Sequence, residues 1–120
     1  CDWFGVKNIY CSEETVDVYN PKVVQSTMGS ISRVNIIYTD IKKMMYNINV
    51  KVYAAVIDGQ DINQIKVNAN SLIVFGNESK GISEEIKNDI SERITINKIG
   101  AAESLNVAVS AAIILNKFCN

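Results

Sequence analysis

Five short apolar segments alternate with segments that carry helix start signals, and this alternation constrains the fold more than any other feature. The apolar segments are NIYC near Tyr10, VNIIY at 34–38, VYAAVI at 52–57, SLIVFG at 71–76 and RITI at 93–96. Short runs rich in β-branched residues are typical of strands buried on both faces of a parallel sheet. The alternation therefore predicts an α/β layer fold with a mostly parallel sheet.

The segments between these strands predict four helices. Asn20 followed by Pro21 predicts a helix that ends near Gly29, and Asp40 is a suitable N-cap for the next one. Ser83 predicts the start of a short helix, and the last helix is expected at about 104–118. Side chains expected to face inward are Val23, Val24 and Met28 on the first helix, Ile41, Met44, Met45 and Ile48 on the second, and Val107, Val109, Ala111, Ala112, Ile114 and Leu115 on the last.

The size and charge of the chain limit its partners. A length of 120 residues suits a single domain, residues 1–120, and the formal charge of -1 provides no overall positive field that would attract nucleic acid. The lysines and Arg33 are scattered and are interpreted as scaffold, so any RNA contact must be local. No apolar run is long enough to span a bilayer and no signal peptide opens the chain, so neither export nor a membrane partner is expected.

The residues that most often do chemistry are scarce. The chain has no histidine, which excludes Ser-His-Asp and Cys-His mechanisms. Cys1, Cys11 and Cys119 show no CxxC spacing, so we expect reduced, mostly buried thiols in a cytoplasmic protein and no metal site. The chain opens on CDWFGV, which looks like the tail of a helix running into a turn. A trimmed, N-terminally truncated domain is expected from this, with a naturally frayed terminus as the alternative.

Three segments follow predicted strands and could form a ligand site, because ligands collect at the carboxyl ends of strands in open α/β sheets. They are VIDGQD, FGNESKGIS and INKIGAAESLN. The second could equally be a turn with a solvated Glu78, and it lacks both common phosphate-loop patterns. In the third, an N-cap role would explain Ser104 well, but it explains Asn106 poorly.

Two of these segments also carry a family resemblance. SLIVFGNESKGIS and ITINKIGAAESLNVAVSAAIIL are similar to the second and third signature motifs of the SpoU/TrmH family of RNA 2′-O-ribose methyltransferases. The stretch DWFGVKNIYCSEETVDVYNPKVVQSTMGSI resembles the family segment that follows the first motif. The resemblance implies the SPOUT architecture, with a Rossmann-like, mostly parallel sheet, helices on both faces and a C-terminal deep trefoil knot. It further implies S-adenosylmethionine as cofactor, tRNA or rRNA as substrate, and a homodimer.

The resemblance also implies roles for individual residues. The backbone of Gly76, Ile96 and Leu105 would bind the cofactor. Glu78, Ser104 and Asn106 would form the catalytic set by orienting the substrate ribose and the groups that activate its 2′-hydroxyl.

Two departures from the family pattern affect these expectations. The first-motif Asn and Arg would precede Cys1, which puts catalysis by this chain alone in question. Asn97 stands where many members carry proline.

Two other functions stay open at this point. One is a non-catalytic RNA-binding or dimerisation module of the same fold. The other is a nucleotide-binding Rossmann-like domain, which the lack of a Gly-rich phosphate loop disfavours.

Overall fold

The computed structural model describes residues 1–120 and contains the predicted strands and helices. The five strands are Asn8–Cys11 (β1), Asn35–Tyr38 (β2), Lys51–Asp61 (β3), Ser71–Phe75 (β4) and Glu92–Thr95 (β5). The three α-helices are Pro21–Thr27 (α1), Ile41–Tyr46 (α2) and Val107–Phe118 (α3), and 3₁₀ segments occupy Asp2–Phe4, Ser30–Ser32 and Glu84–Asp89. The α/β class is confirmed.

All the strand pairings are parallel, as predicted, but they form two sheets rather than one. β1 pairs with β2, and a second sheet has the order β4-β3-β5. β3 is the only strand with a partner on both edges, whereas β1, β2, β4 and β5 each pair on one edge. The prediction that every strand is buried on both faces is wrong for β1 and β2, whose residues are half-buried or exposed, and for β4, whose residues are all half-buried.

The core lies on both faces of β3. Successive side chains of a strand point to opposite faces, so Val52 joins a cluster with Met45 of α2, while Tyr53 packs against Phe118 of α3. The Tyr53 and Phe118 rings meet edge to face, with centroids 4.9 Å apart. The three-stranded sheet therefore carries helices on both faces, as expected.

Three of the four predicted helix starts are confirmed by their caps. The side chain of Asn20 accepts a hydrogen bond from the Lys22 amide at 3.0 Å, and Asp40 accepts one from Lys43 at 3.1 Å. Ser83 caps the segment Glu84–Asp89, which is a 3₁₀ helix. The expectation that Met28 faces inward is wrong: it ends α1 with a left-handed φ of 49° and is 91% exposed.

The last helix starts three residues later than predicted, at Val107 instead of Ser104. Ile114 and Leu115 are buried as expected. Val107, Val109 and Ala112 are exposed, so their assignment to the core was wrong, and Ala111 is half-buried. The core-facing side of α3 is thus confined to its C-terminal half.

The cysteines are free thiols, but they are less buried than expected. Cys1 and Cys119 are exposed, and Cys11 is half-buried. Burial raises the pKa of the Cys11 thiol, which keeps it protonated and unreactive at neutral pH. No helix of the structure combines the length and apolar character needed to cross a bilayer.

Candidate functional site

A cavity of about 780 Å³ lies at the carboxyl ends of β3, β4 and β5. Its lining comes mainly from residues 55–58, 75–82, 93–100 and 102–105. These ranges include parts of all three segments that were singled out from the sequence. Parallel strands bring their carboxyl ends to one edge of the sheet, which is why segments so far apart in the chain meet here.

On the β3 side the cavity is lined by a β-bulge that was not predicted from the sequence. Both Ala55 and Gln60 pair with Ile94, so residues 56–59 loop out of the ladder. The Thr95 hydroxyl donates to the Ile57 carbonyl at 3.0 Å, and Arg93 forms an ion pair with Asp58. VIDGQD was predicted to follow the strand, but it is part of it. Gly59 is the residue that could have indicated the bulge, because a glycine inside a strand pattern often marks one. In the structure a Cβ atom on Gly59 would lie 2.6 Å from the Ile94 backbone.

The loop after β4 closes on itself through Asn77. The backbone groups of Asn77 and Gly81 exchange two hydrogen bonds, of 3.0 and 2.8 Å. The side-chain oxygen of Asn77 accepts hydrogen bonds from the Ser79 and Lys80 amides at 2.9 and 3.1 Å. Gly81 has a left-handed φ of 70°, a conformation that favours glycine. The loop therefore has a defined shape and carries Glu78, an exposed residue whose carboxylate forms no ion pair.

Five of the six predicted site residues line the cavity: Gly76, Glu78, Ile96, Ser104 and Leu105. Asn106 is absent from the lining and is instead the N-cap of α3. Its side-chain oxygen accepts hydrogen bonds from the Ala108 and Val109 amides at 2.9 and 3.4 Å. The backbone becomes helical only after Asn106, so the N-cap role considered for Ser104 belongs to Asn106, and the expectation that such a role explains Asn106 poorly was wrong.

Charged side chains also meet at this cavity, which the scattered lysines of the sequence did not indicate. The basic lining residues are Lys80, Lys87, Arg93 and Lys98, and the acidic ones are Asp58, Glu78 and Glu103. Arg93 is paired with Asp58, and Lys87 is paired with Glu84. The residues do not cluster as a metal site: no group of three or more Cys, Asp or Glu side chains is placed to hold an ion.

The parallel strands, the helices on both faces and the cavity at the strand ends define an α/β domain built to bind a ligand at the sheet edge. The chain belongs to the SpoU rRNA methylase family, which matches residues 1–116. The resemblance carried by the two signature motifs is therefore confirmed.

Individual relatives agree with this assignment. A 23S rRNA guanosine 2′-O-methyltransferase of Bacillus subtilis is 26% identical over 118 residues, covering 95% of this chain and 48% of its own length. A protein of the TrmH family of RNA methyltransferases from Porphyromonas gingivalis has 33% identity and a TM-score of 0.88 over 98% of this chain and 50% of its own.

An AdoMet-bound rRNA methyltransferase from Sinorhizobium meliloti has 26% identity and a TM-score of 0.89, over 98% of this chain and 47% of its own. The chain thus spans about half the length of these relatives.

Proposed function

We propose that the protein is an S-adenosylmethionine-dependent RNA methyltransferase that modifies a ribose 2′-hydroxyl of tRNA or rRNA. The observation that carries the proposal is the convergence of both signature motifs on one cavity, with five of the six implied residues in its lining. Membership of the SpoU family supports it. So do the rRNA 2′-O-methyltransferase among the relatives and the AdoMet-bound structure.

The cavity fits the cofactor in size and in chemistry. Its volume of about 780 Å³ lies within the range of roughly 300–1,000 Å³ usual for small-molecule sites. The backbone of Gly76, Ile96 and Leu105 would hold the cofactor with its amide and carbonyl groups. The carboxylates of Glu78 and Glu103 complement a positively charged sulfonium. When bound, S-adenosylmethionine would supply an electrophilic methyl group to the ribose 2′-oxygen and leave as S-adenosylhomocysteine, while the hydroxyl proton would pass to solvent.

The chain's own residues would position the ribose. The Glu78 carboxylate would accept a hydrogen bond from a ribose hydroxyl, which favours partial negative charge on that oxygen. The Ser104 hydroxyl can donate and accept at the same site. Asn106 would act by fixing the start of α3 and, with it, the position of Ser104 and Leu105. On that basis we propose Asn106 as a positioning residue that acts through Ser104 and Leu105, not as a group that contacts the substrate.

We also propose that the protein has the SPOUT trefoil knot and works as a homodimer. Val109 and Ile113 lie one turn apart on the same side of α3 and are 48% and 38% exposed, as expected of a surface that a second subunit covers. We assign residues 1–120 to a single methyltransferase domain working in the cytoplasm.

The test begins with calorimetric titration of S-adenosylmethionine and S-adenosylhomocysteine, with NAD as a control. Saturable binding of the first two alone is the expected result. Tritiated methyl transfer to tRNA and rRNA transcripts, by a version of the protein that also carries the first-motif Asn and Arg, should then yield 2′-O-methylated nucleosides on nucleoside analysis. Binding of NAD alone, or label found only on a base, would refute the proposal.

A further inference from the structure

We propose that Lys80 and Lys98 form a pair of phosphate-binding groups that hold the RNA backbone beside the cavity. This inference rests on the proposed function and names how the substrate would be held. Both lysines line the cavity together with Glu78 and Ser104. Lys80 lies on the loop after β4 and Lys98 on the segment between β5 and α3, so only the fold brings them to one site.

The ion pairs of the protein single out these two lysines. Twelve residues are basic, and five of them are committed to carboxylates: Arg33, Lys43, Lys51, Lys87 and Arg93. Of the remaining seven, Lys80 and Lys98 are the two that line this cavity. A lysine without a carboxylate partner keeps its full charge available for a phosphate.

The loop holds the backbone of Lys80 in place and leaves its side chain in solvent. Its amide donates to the side-chain oxygen of Asn77 at 3.1 Å, while its side chain is exposed. Lys98 is also exposed. A flexible stem that ends in a compact ammonium binds phosphate as a point charge, which suits a backbone contact that does not depend on sequence.

The charge balance explains why a local pair is needed. The net charge of -1 gives no general attraction for RNA. Glu78 and Glu103 share the cavity lining and repel phosphates, so the RNA backbone must follow the two lysines and leave the ribose near Glu78. The lysines that supply RNA affinity would thus lie apart from Glu78, beside which the reacting ribose would sit.

The experiment compares two double variants of equal charge. Lys80→Gln/Lys98→Gln removes the pair, whereas Lys42→Gln/Lys66→Gln removes two exposed lysines that form no ion pair and lie outside the cavity. Binding of a fluorescein-labelled single-stranded RNA of mixed sequence is measured by anisotropy across a series of KCl concentrations. Each phosphate contact contributes about 0.7 to the slope of log K against log salt.

The first variant should therefore lower that slope by about 1.4 and weaken RNA binding about 25-fold near 0.1 M salt, while the control matches the wild type. The affinity for S-adenosylhomocysteine, measured in parallel, should not change. An unchanged slope, an equal loss in the control, or no RNA binding by the wild type would overturn the inference. Weaker binding of S-adenosylhomocysteine with unchanged RNA binding would also overturn it, by placing the lysines at the cofactor.

The two proposals fail in different ways. If the wild type binds neither S-adenosylmethionine nor S-adenosylhomocysteine, the proposed function is refuted whatever the RNA result. If it binds both and only the RNA slopes disagree, the inference about Lys80 and Lys98 is refuted alone.

Discussion

Gly76 lies so close to Gly81 that a Cβ atom on Gly76 would come within 2.5 Å of the carbonyl carbon of Gly81. The same atom would lie 2.7 Å from the Ile82 nitrogen. Backbone atoms cannot move aside as the end of a flexible side chain can. The closure of the 77–81 loop therefore requires a glycine here, independently of any contact between its backbone and a ligand.

Gly76→Ala should consequently open this loop. We expect a loss of about 1–3 kcal/mol in the free energy of unfolding, as for other overpacked sites, together with weaker binding of S-adenosylhomocysteine. Gly100→Ala is the matched control for stability alone, because nothing lies within 4 Å of its Cβ position and its φ is not left-handed, but Gly100 also lines the cavity. Urea unfolding and calorimetry measure both effects. Equal stability of the two variants would show that the close approach is not a constraint.

Asn106→Ala should lower stability and methyl transfer together. Loss of the cap on α3 costs about 1 kcal/mol, and the helix start that places Ser104 and Leu105 loosens with it. Asn106→Asp should restore both, because a carboxylate oxygen can accept the same two hydrogen bonds and suits a helix N-terminus. A stable but inactive Asn106→Asp protein would contradict a role through the cap and indicate that the amide itself contacts the substrate.

Glu78→Gln should reduce methyl transfer without affecting the fold. Glu78 is exposed and pairs with no cation, so the unfolding free energy should change by less than about 0.5 kcal/mol. Loss of the carboxylate that accepts the hydrogen bond of the ribose hydroxyl should slow transfer by about 10²-fold. Glu14→Gln, an exposed site outside the cavity, is the control. Normal turnover by Glu78→Gln would remove this residue from the catalytic set.

The ion pair between Asp2 and Arg33 in the N-terminal segment should stabilise the protein in a pH-dependent way. Two hydrogen bonds to the Asp2 carboxylate lower its pKa below the ordinary value of 3.8. The larger effect comes from the Arg33 guanidinium and the smaller one from the Ser30 hydroxyl. A lowered carboxyl pKa contributes stability above the unfolded-state pKa, and that contribution is lost as pH falls through the folded-state pKa.

Asp2→Asn should therefore be less stable than the wild type at pH 7. The difference should shrink below about pH 4 and vanish in stronger acid. Urea unfolding of both proteins at neutral and acidic pH measures it. A difference that stays constant across this range would contradict the ion pair as its cause.

Much of the fold was predictable because its signals are local. Strand positions follow from β-branched runs, and the caps at Asn20, Asp40 and Ser83 follow from side chains that reach the next few amides. Such interactions depend on residues within one turn of each other. Met28 was misplaced because helical periodicity does not show the residue at which the backbone leaves the helix.

The sequence by itself determined the class of fold, the family, and five of the residues that line the cavity, since strand runs and signature motifs are contiguous in the chain. Only the tertiary structure decided that the sheet is divided in two, that residues 56–59 bulge, that Asn106 caps α3, and that Lys80 and Lys98 share a site. The reason is physical. Strand partners and charge clusters are set by contacts between residues distant in the chain, and neither periodicity nor spacing records those distances.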